Sequence, residues 1–152
     1  MTYLMRFIIP DGEPPTLAEI GEVLHRLDEH FVIFPDAADK ASGDLMYAED
    51  VYGEIEINSS NDVVFTEDIQ ELLDAIAETD EINVGQIREF LDKCSGMVAL
   101  RVSELGHFNT DRLDMLWDWL FETRGGLLQV DGEGYYDRDR LVLPVAGDDD
   151  DF

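Results

Sequence analysis

The apolar residues of this chain switch repeatedly between strand and helix periodicity, and that order restricts the fold more than any other feature. Residues 3 to 9, YLMRFII, form a short apolar run closed by Pro10 and the turn-rich DGEPP, as a buried strand would be. Thr16 and Glu19 then stand at capping-box spacing, and Leu17, Ile20, Val23, Leu24 and Leu27 recur on one helical face. FVIF, residues 31 to 34, reads as a second strand stopped at Pro35. GEIEIN, residues 53 to 58, alternates, with Ile55 and Ile57 on one side and Glu54 and Glu56 on the other.

Thr66 is placed to cap the next helix, whose buried face is Ile69, Leu72, Leu73 and Ile76. Asn83 and Gln86 form a cap pair for a helix over about 84 to 94, with Val84, Ile87, Phe90, Leu91 and Cys94 facing inward. MVALRV, residues 97 to 102, is a further strand, and a last helix over about 110 to 124 stops at Gly125 and Gly126, with Phe108 and Leu113 as a hydrophobic staple. The stretch LLQVDGEGYYDRDRLVLPV predicts a hairpin turning at its Gly-rich centre.

This order predicts an α+β fold, a ferredoxin-like sandwich with an antiparallel or mixed sheet and helices on one face. Residues 1–146 are expected as a single domain and 147–152, GDDDDF, as a disordered acidic tail. Gly53, Ile55, Ile57 and Phe65 match Gly96, Val98, Leu100 and Phe108 at an offset of 43, and Ile69, Leu72, Leu73 and Ile76 match Leu113, Leu116, Trp117 and Leu120 at 44. Two explanations fit these matches: an internal strand-loop-helix duplication, or the pattern that any amphipathic helix shares.

Charge bounds the function. With 36 Asp+Glu against 10 Lys+Arg the chain carries −26 at pH 7, beyond what solubility of a small domain requires. Such a surface repels nucleic acid and anionic lipid and accelerates encounter with a basic partner, so neither a direct nucleic-acid ligand nor a membrane is expected. The single cysteine, Cys94, excludes an internal disulfide, and no apolar stretch has the length of a signal or membrane segment; a cytoplasmic protein is expected.

The carboxylates concentrate on two helices. TEDIQELLDAIAETDE, residues 66 to 81, holds no Lys or Arg. On a wheel of ~100° per residue Glu67, Glu71, Asp74 and Glu78 fall within about 60°, opposite the buried face. Asp111, Asp114, Asp118 and Glu122 form a matching ridge on the last helix. The helix dipole stabilises Glu67, Asp68 and Asp111 in expected first turns, whereas it opposes Glu78 and Glu122 near the C-termini, and like charges at i,i+4 cost a few tenths of a kcal/mol each. Folding alone would not select this arrangement. Met115 and Trp119 flank the second ridge outside the buried face, as apolar anchors of an interface would, while Trp117 belongs to the core. Glu54 and Glu56 are expected to pair across strands with Arg6 and Arg101.

Catalytic signatures are weak. His25, His30 and His107 lack metal-ligand spacing, and Asp131, Glu133, Asp137 and Asp139 suit turns better than a calcium loop. GEG at 132 to 134 links no strand to a helix, and no P-loop or nucleophile elbow occurs. Cys94 falls on an apolar face, and Ser103 and His107 with a distant Asp could form a hydrolase site only as any chain of this size could. No cofactor and no metal are expected. The sequence therefore predicts a non-enzymatic acidic module that docks on a basic protein, such as a nucleic-acid-binding protein or nuclease, in the manner of an inhibitor, immunity protein or nucleic-acid mimic. The alternative is an acidic domain adapted to high salt, with a small-ligand or sensory role, or a small hydrolase.

Overall fold

The computed structural model describes residues 3–38, 41–103 and 110–145. Strand β1 (Tyr3–Ile9) and helix α1 (Leu17–Leu27) fall where the sequence places them. The capping box forms: Thr16 Oγ1 accepts from Glu19 N–H at 3.1 Å and Thr16 N–H donates to Glu19 Oε1 at 2.9 Å. Strand β2 (Phe31–Pro35) follows, then β3 (Ser42–Tyr47) and β4 (Asp50–Ser59). Helices α2 (Val63–Ala75) and α3 (Val84–Lys93) precede β5 (Gly96–Val102). A 3₁₀ turn (Thr110–Leu113) leads into α4 (Asp114–Thr123), and β6 (Leu127–Val130), β7 (Gly134–Asp137) and β8 (Arg140–Pro144) complete the described chain.

All eight strands join one antiparallel sheet in the order β2-β3-β4-β5-β1-β6-β7-β8. The expected terminal hairpin is a three-stranded meander. Its two turns lie at 131 to 133 and at Arg138, which takes a positive φ of 60°. Gly134 sits between them at φ 130°, where a Cβ would collide with the Leu143 carbonyl, so only glycine fits.

The helices lie on both faces of the sheet, which corrects the expectation of one covered face. Met5, Phe7 and Ile9 of β1 enter a first core with α1 and α4, through Leu17, Ile20, Leu24, Leu116, Trp117, Leu120 and Phe121. Ile8 points the other way, into a second core with Phe65, Ile69 and Leu72 of α2 and Ile87 and Leu91 of α3. The reason is visible at Phe7–Ile9 and Met97–Leu100: where successive residues of a strand are apolar, neither face is left for water. Phe7 and Trp117 stack with ring centroids 6.5 Å apart, and Phe121 meets Phe7 edge-on at 4.9 Å.

The spacing repeat does not carry over into packing. Ile55 and Ile57 face the same core as Val98 and Leu100, yet α2 and α4, the helices that follow, lie on opposite faces. Phe108, the proposed staple partner of Leu113, and the tail 147–152 lie outside the described residues.

Candidate interaction surface

Helix α2 begins a turn earlier than Thr66. Asp62 is its N-cap residue, the Asp62 side chain instead accepts from Ser59 N–H at 2.8 Å, and Thr66 lies inside the helix with its hydroxyl on the Asp62 carbonyl. The first turn therefore holds no acid, and Glu67 and Asp68 gain less from the dipole than expected. The helix also closes at Ala75, where Ile76 N–H turns back to Leu73 and Asp74. Glu67, Glu71 and Asp74 form an exposed row, and Glu78 continues it from the following turn rather than from the helix. Asp74 accepts from Gln70 Nε2 at 3.0 Å. Asn83 is the N-cap residue of α3, as expected, but its side chain makes no capping bond: its Nδ2 donates to the Val142 carbonyl at 2.6 Å, tying α3 to β8.

On the other face, Asp111 projects from the 3₁₀ turn and Asp114, Asp118 and Glu122 from α4, all exposed. Met115 and Trp119 are half-buried against the first core, and Thr123 Oγ1 donates to the Trp119 carbonyl at 2.8 Å. Arg124 sits 6.0 Å from the Trp119 ring centroid, a loose cation–π contact. Trp119 is thus partly used by the fold and only partly exposed.

A cleft of about 630 Å³ opens between α4 and the meander. Asp111, Asp114 and Asp118 form one wall, Glu133 and Asp139 the other, and Arg138 is the one guanidinium on its lining. Arg138 lies 5.7 Å from the Phe121 ring centroid. Glu133 is held in place by the hydroxyls of Tyr3 and Tyr136, which donate to it at 3.2 and 2.6 Å. The crowding has a titration signature: burial first, then the charges of Asp118 and Asp111, raise the Asp114 carboxyl above the ordinary carboxylate range. Glu133 and Asp139 come from turns 15 or more residues beyond Asp111, Asp114 and Asp118, which is why helical spacing does not join them to that ridge.

A comparison with protein-family models, curated proteins and solved structures finds no match.

The two ridges are not brought together. Glu67, Glu71, Asp74 and Glu78 follow the helix that covers the second core, whereas Asp111, Asp114, Asp118 and Glu122 follow the helix over the first. One flat partner cannot touch both. None of these eight carboxylates has a Lys, Arg or His nitrogen within 4.0 Å among the described residues; the ion pairs engage Asp28, Glu54, Glu89, Asp131 and Asp137 instead.

Other candidate groups are occupied structurally. Cys94 Sγ lies 3.1 Å from the Leu91 carbonyl, and burial pushes its thiol up to about 11, unsuited to nucleophilic chemistry at neutral pH. Ser103 Oγ donates to the Tyr52 carbonyl at 2.8 Å, and His107 lies outside the described residues. Among the described residues no group of three or more His, Cys, Asp or Glu could hold a metal, and no helix is long and apolar enough to cross a membrane.

The raised Asp114 fixes a sign. A carboxyl whose folded pKa exceeds its unfolded value binds its proton more tightly when folded, so stability falls as pH rises through that window. Asp114→Asn is therefore expected to raise Tm slightly at pH 7, by no more than about 1 °C because the group is largely exposed and screened. The gain should vanish below about pH 3, where the carboxyl is protonated in both states. A lower Tm at pH 7, by differential scanning calorimetry, would show that Asp114 is held by contacts that favour its charged form.

Proposed function

We propose that this chain is a non-enzymatic acidic module that docks on the basic surface of another protein, one that would otherwise hold nucleic acid, in the manner of an inhibitor, immunity protein or nucleic-acid mimic. The observation that carries the reading is that, among the described residues, none of the eight ridge carboxylates has an ion-pair partner, in a chain at −26. Of the two ridges, the α4 side is the better docking surface. Its carboxylates line a concavity, face further acids across it and crowd one another, so a cation entering the cleft relieves repulsion already present. The half-buried Met115 and Trp119 on its flank supply apolar contact. In fold, the order β4-β5-β1-β6 with α1 and α4 on one face supports a ferredoxin-like core, to which β2–β3, α2–α3 and β7–β8 are additions.

Charge reversal tests this reading on a partner captured from the native host at low ionic strength. Asp114→Lys with Asp118→Lys is expected to weaken its affinity at least ~100-fold at 0.1 M salt, mostly through association rate, whereas Glu71→Lys with Asp74→Lys on the opposite face changes it less than ~5-fold. Unchanged affinity in both double variants would reject the ridges as interfaces.

The presence of carboxylates on both sides of the sheet favours a second reading, adaptation of the whole surface to high salt, with a small-ligand or sensory role elsewhere. Screening of self-repulsion is largely complete by ~1 M salt, where the Debye length is ~3 Å. A Tm of the free protein that keeps climbing between 1 and ~3 M KCl supports adaptation; a plateau supports docking.

A further inference from the structure

Helices α2 and α3 cover only part of the second sheet face, over Ile8, Met97, Ala99, Tyr135 and Leu143. Beyond them the sheet is open. The strand registers place Phe34, Asp44, Glu54, Arg101 and Leu4 side by side in one cross-strand row from β2 to β1. Between this row and the first turn of α2 lies a cleft of about 420 Å³. Its rims are apolar and exposed, Phe34 at 59% and Val64 at 44%. Asp36, Asp44, Glu54, Glu56 and Asp68 line it, against Arg6 and Arg101.

Both guanidinium groups are already engaged: Arg101 with Glu54 at 3.5 Å, Arg6 with Gln129 at 2.7 Å and Asp131 at 3.4 Å. Five carboxylates less two cations leave the cleft net negative by three, and Asp36, Asp44, Glu56 and Asp68 have no ion-pair partner among the described residues.

We propose that this open end of the sheet receives an arginine side chain of a basic protein partner, its guanidinium plane against Phe34 and its N–H groups on the carboxylates of β3 and β4. The inference rests on the docking reading above, that the acidic surface meets basic proteins, and concerns a separate surface on the face opposite α4. Guanidinium suits the site better than ammonium, because it stacks on an aromatic face, is weakly hydrated and meets carboxylates through two parallel hydrogen bonds. The exposed apolar rim does not serve self-association, since a second copy at −26 is repelled, as are nucleic acid and anionic lipid. Strand addition at the neighbouring edge is also disfavoured. Pro35 offers β2 no N–H, and His25 Nδ1 takes the Phe31 carbonyl at 3.0 Å.

The test is a backbone-amide NMR titration of the full chain with N-acetyl-arginine amide, with N-acetyl-lysine amide as control, at low ionic strength. Saturable shifts at Phe34, Asp44, Glu54 and Val64, at least about threefold tighter for the arginine compound and about fivefold weaker in Phe34→Ser, are expected. Glu56→Gln provides a second variant with a smaller loss in the same direction. Shifts centred on Asp111, Asp114 and Asp118 instead would overturn this inference and leave the α4 docking reading standing. Shifts spread over all acidic surfaces, equal response to lysine, or no saturable response at these residues would also overturn it, while the docking reading is decided separately by charge reversal on α4.

Discussion

Phe7→Ala is expected to destabilise the protein by about 3–5 kcal/mol, as removal of a fully buried phenylalanine commonly does. The ring lies on β1, between β5 and β6, and is clasped by Trp117 and Phe121 from α4, so its loss opens a void at the contact that holds α4 on the sheet. A domain of this size has about 5–15 kcal/mol in total. This one also carries the self-repulsion of −26 charges, which subtracts most at low salt. The variant should consequently be largely unfolded at 37 °C in dilute buffer and regain structure when salt is added. Phe7→Leu, which preserves most of the volume, should lose only ~1–1.5 kcal/mol. Urea is the right denaturant, since guanidinium chloride would screen the repulsion that magnifies the effect. A loss below ~1 kcal/mol for Phe7→Ala would mean that α4 does not rest on β1 as described.

What the sequence discloses divides along a physical line. Elements bounded by local chemistry are legible: Pro10 and the Thr16–Glu19 box fix the end of β1 and the start of α1. Elements whose stability is non-local are not. Strand β3, SGDLMY, buries only Leu45 completely and contains Ser, Gly and Asp, so nothing in its own composition marks a strand; pairing with β2 and β4 makes it one. The early start of α2 is hidden because Val63 and Val64 are β-branched and exposed, unlike the usual opening of a helix.

Helical spacing shows which residues share a helix face but says nothing about which side of the sheet the helix takes. For that reason the two acidic ridges were legible as ridges and not as surfaces on opposite sides. The same limit separates Glu133 and Asp139 from Asp114, and Phe34 from Glu54, until strand order and register bring them together.

Arg6 shows how register decides between two readings of the same residues, and it makes the second large prediction. Glu54 meets Arg101 because the two are directly opposite on β4 and β5. Glu56 and Arg6 share a row, but Ala99 of β5 stands between them, which separates them by two strand spacings, about 9.6 Å. Arg6 turns instead toward β6, donating to Gln129 and Asp131, with only 7% of its surface exposed. Among the described residues its Nε has no hydrogen-bond partner, nor does the hydroxyl of Tyr135, two strands along the same row. Burial raises that hydroxyl well above its ordinary range, with the Arg6 charge opposing.

Arg6→Met should cost about 1–3 kcal/mol, because it takes the donor from the buried Gln129 Oε1, while the part-exposed Asp131 keeps water and its bond from Gln129 Nε2. Arg6→Glu should be worse by about 3–5 kcal/mol at pH 7.5, because it buries an unpaired carboxylate beside Asp131. The introduced carboxyl would have a raised folded pKa, so this variant should recover stability as pH falls toward 5, opposite to the behaviour of a paired carboxylate. Urea melts of both variants at pH 5 and 7.5 decide it: if Arg6→Met is as damaged as Arg6→Glu, the guanidinium is holding β1 to β6 by its hydrogen bonds, and its charge is more than tolerated.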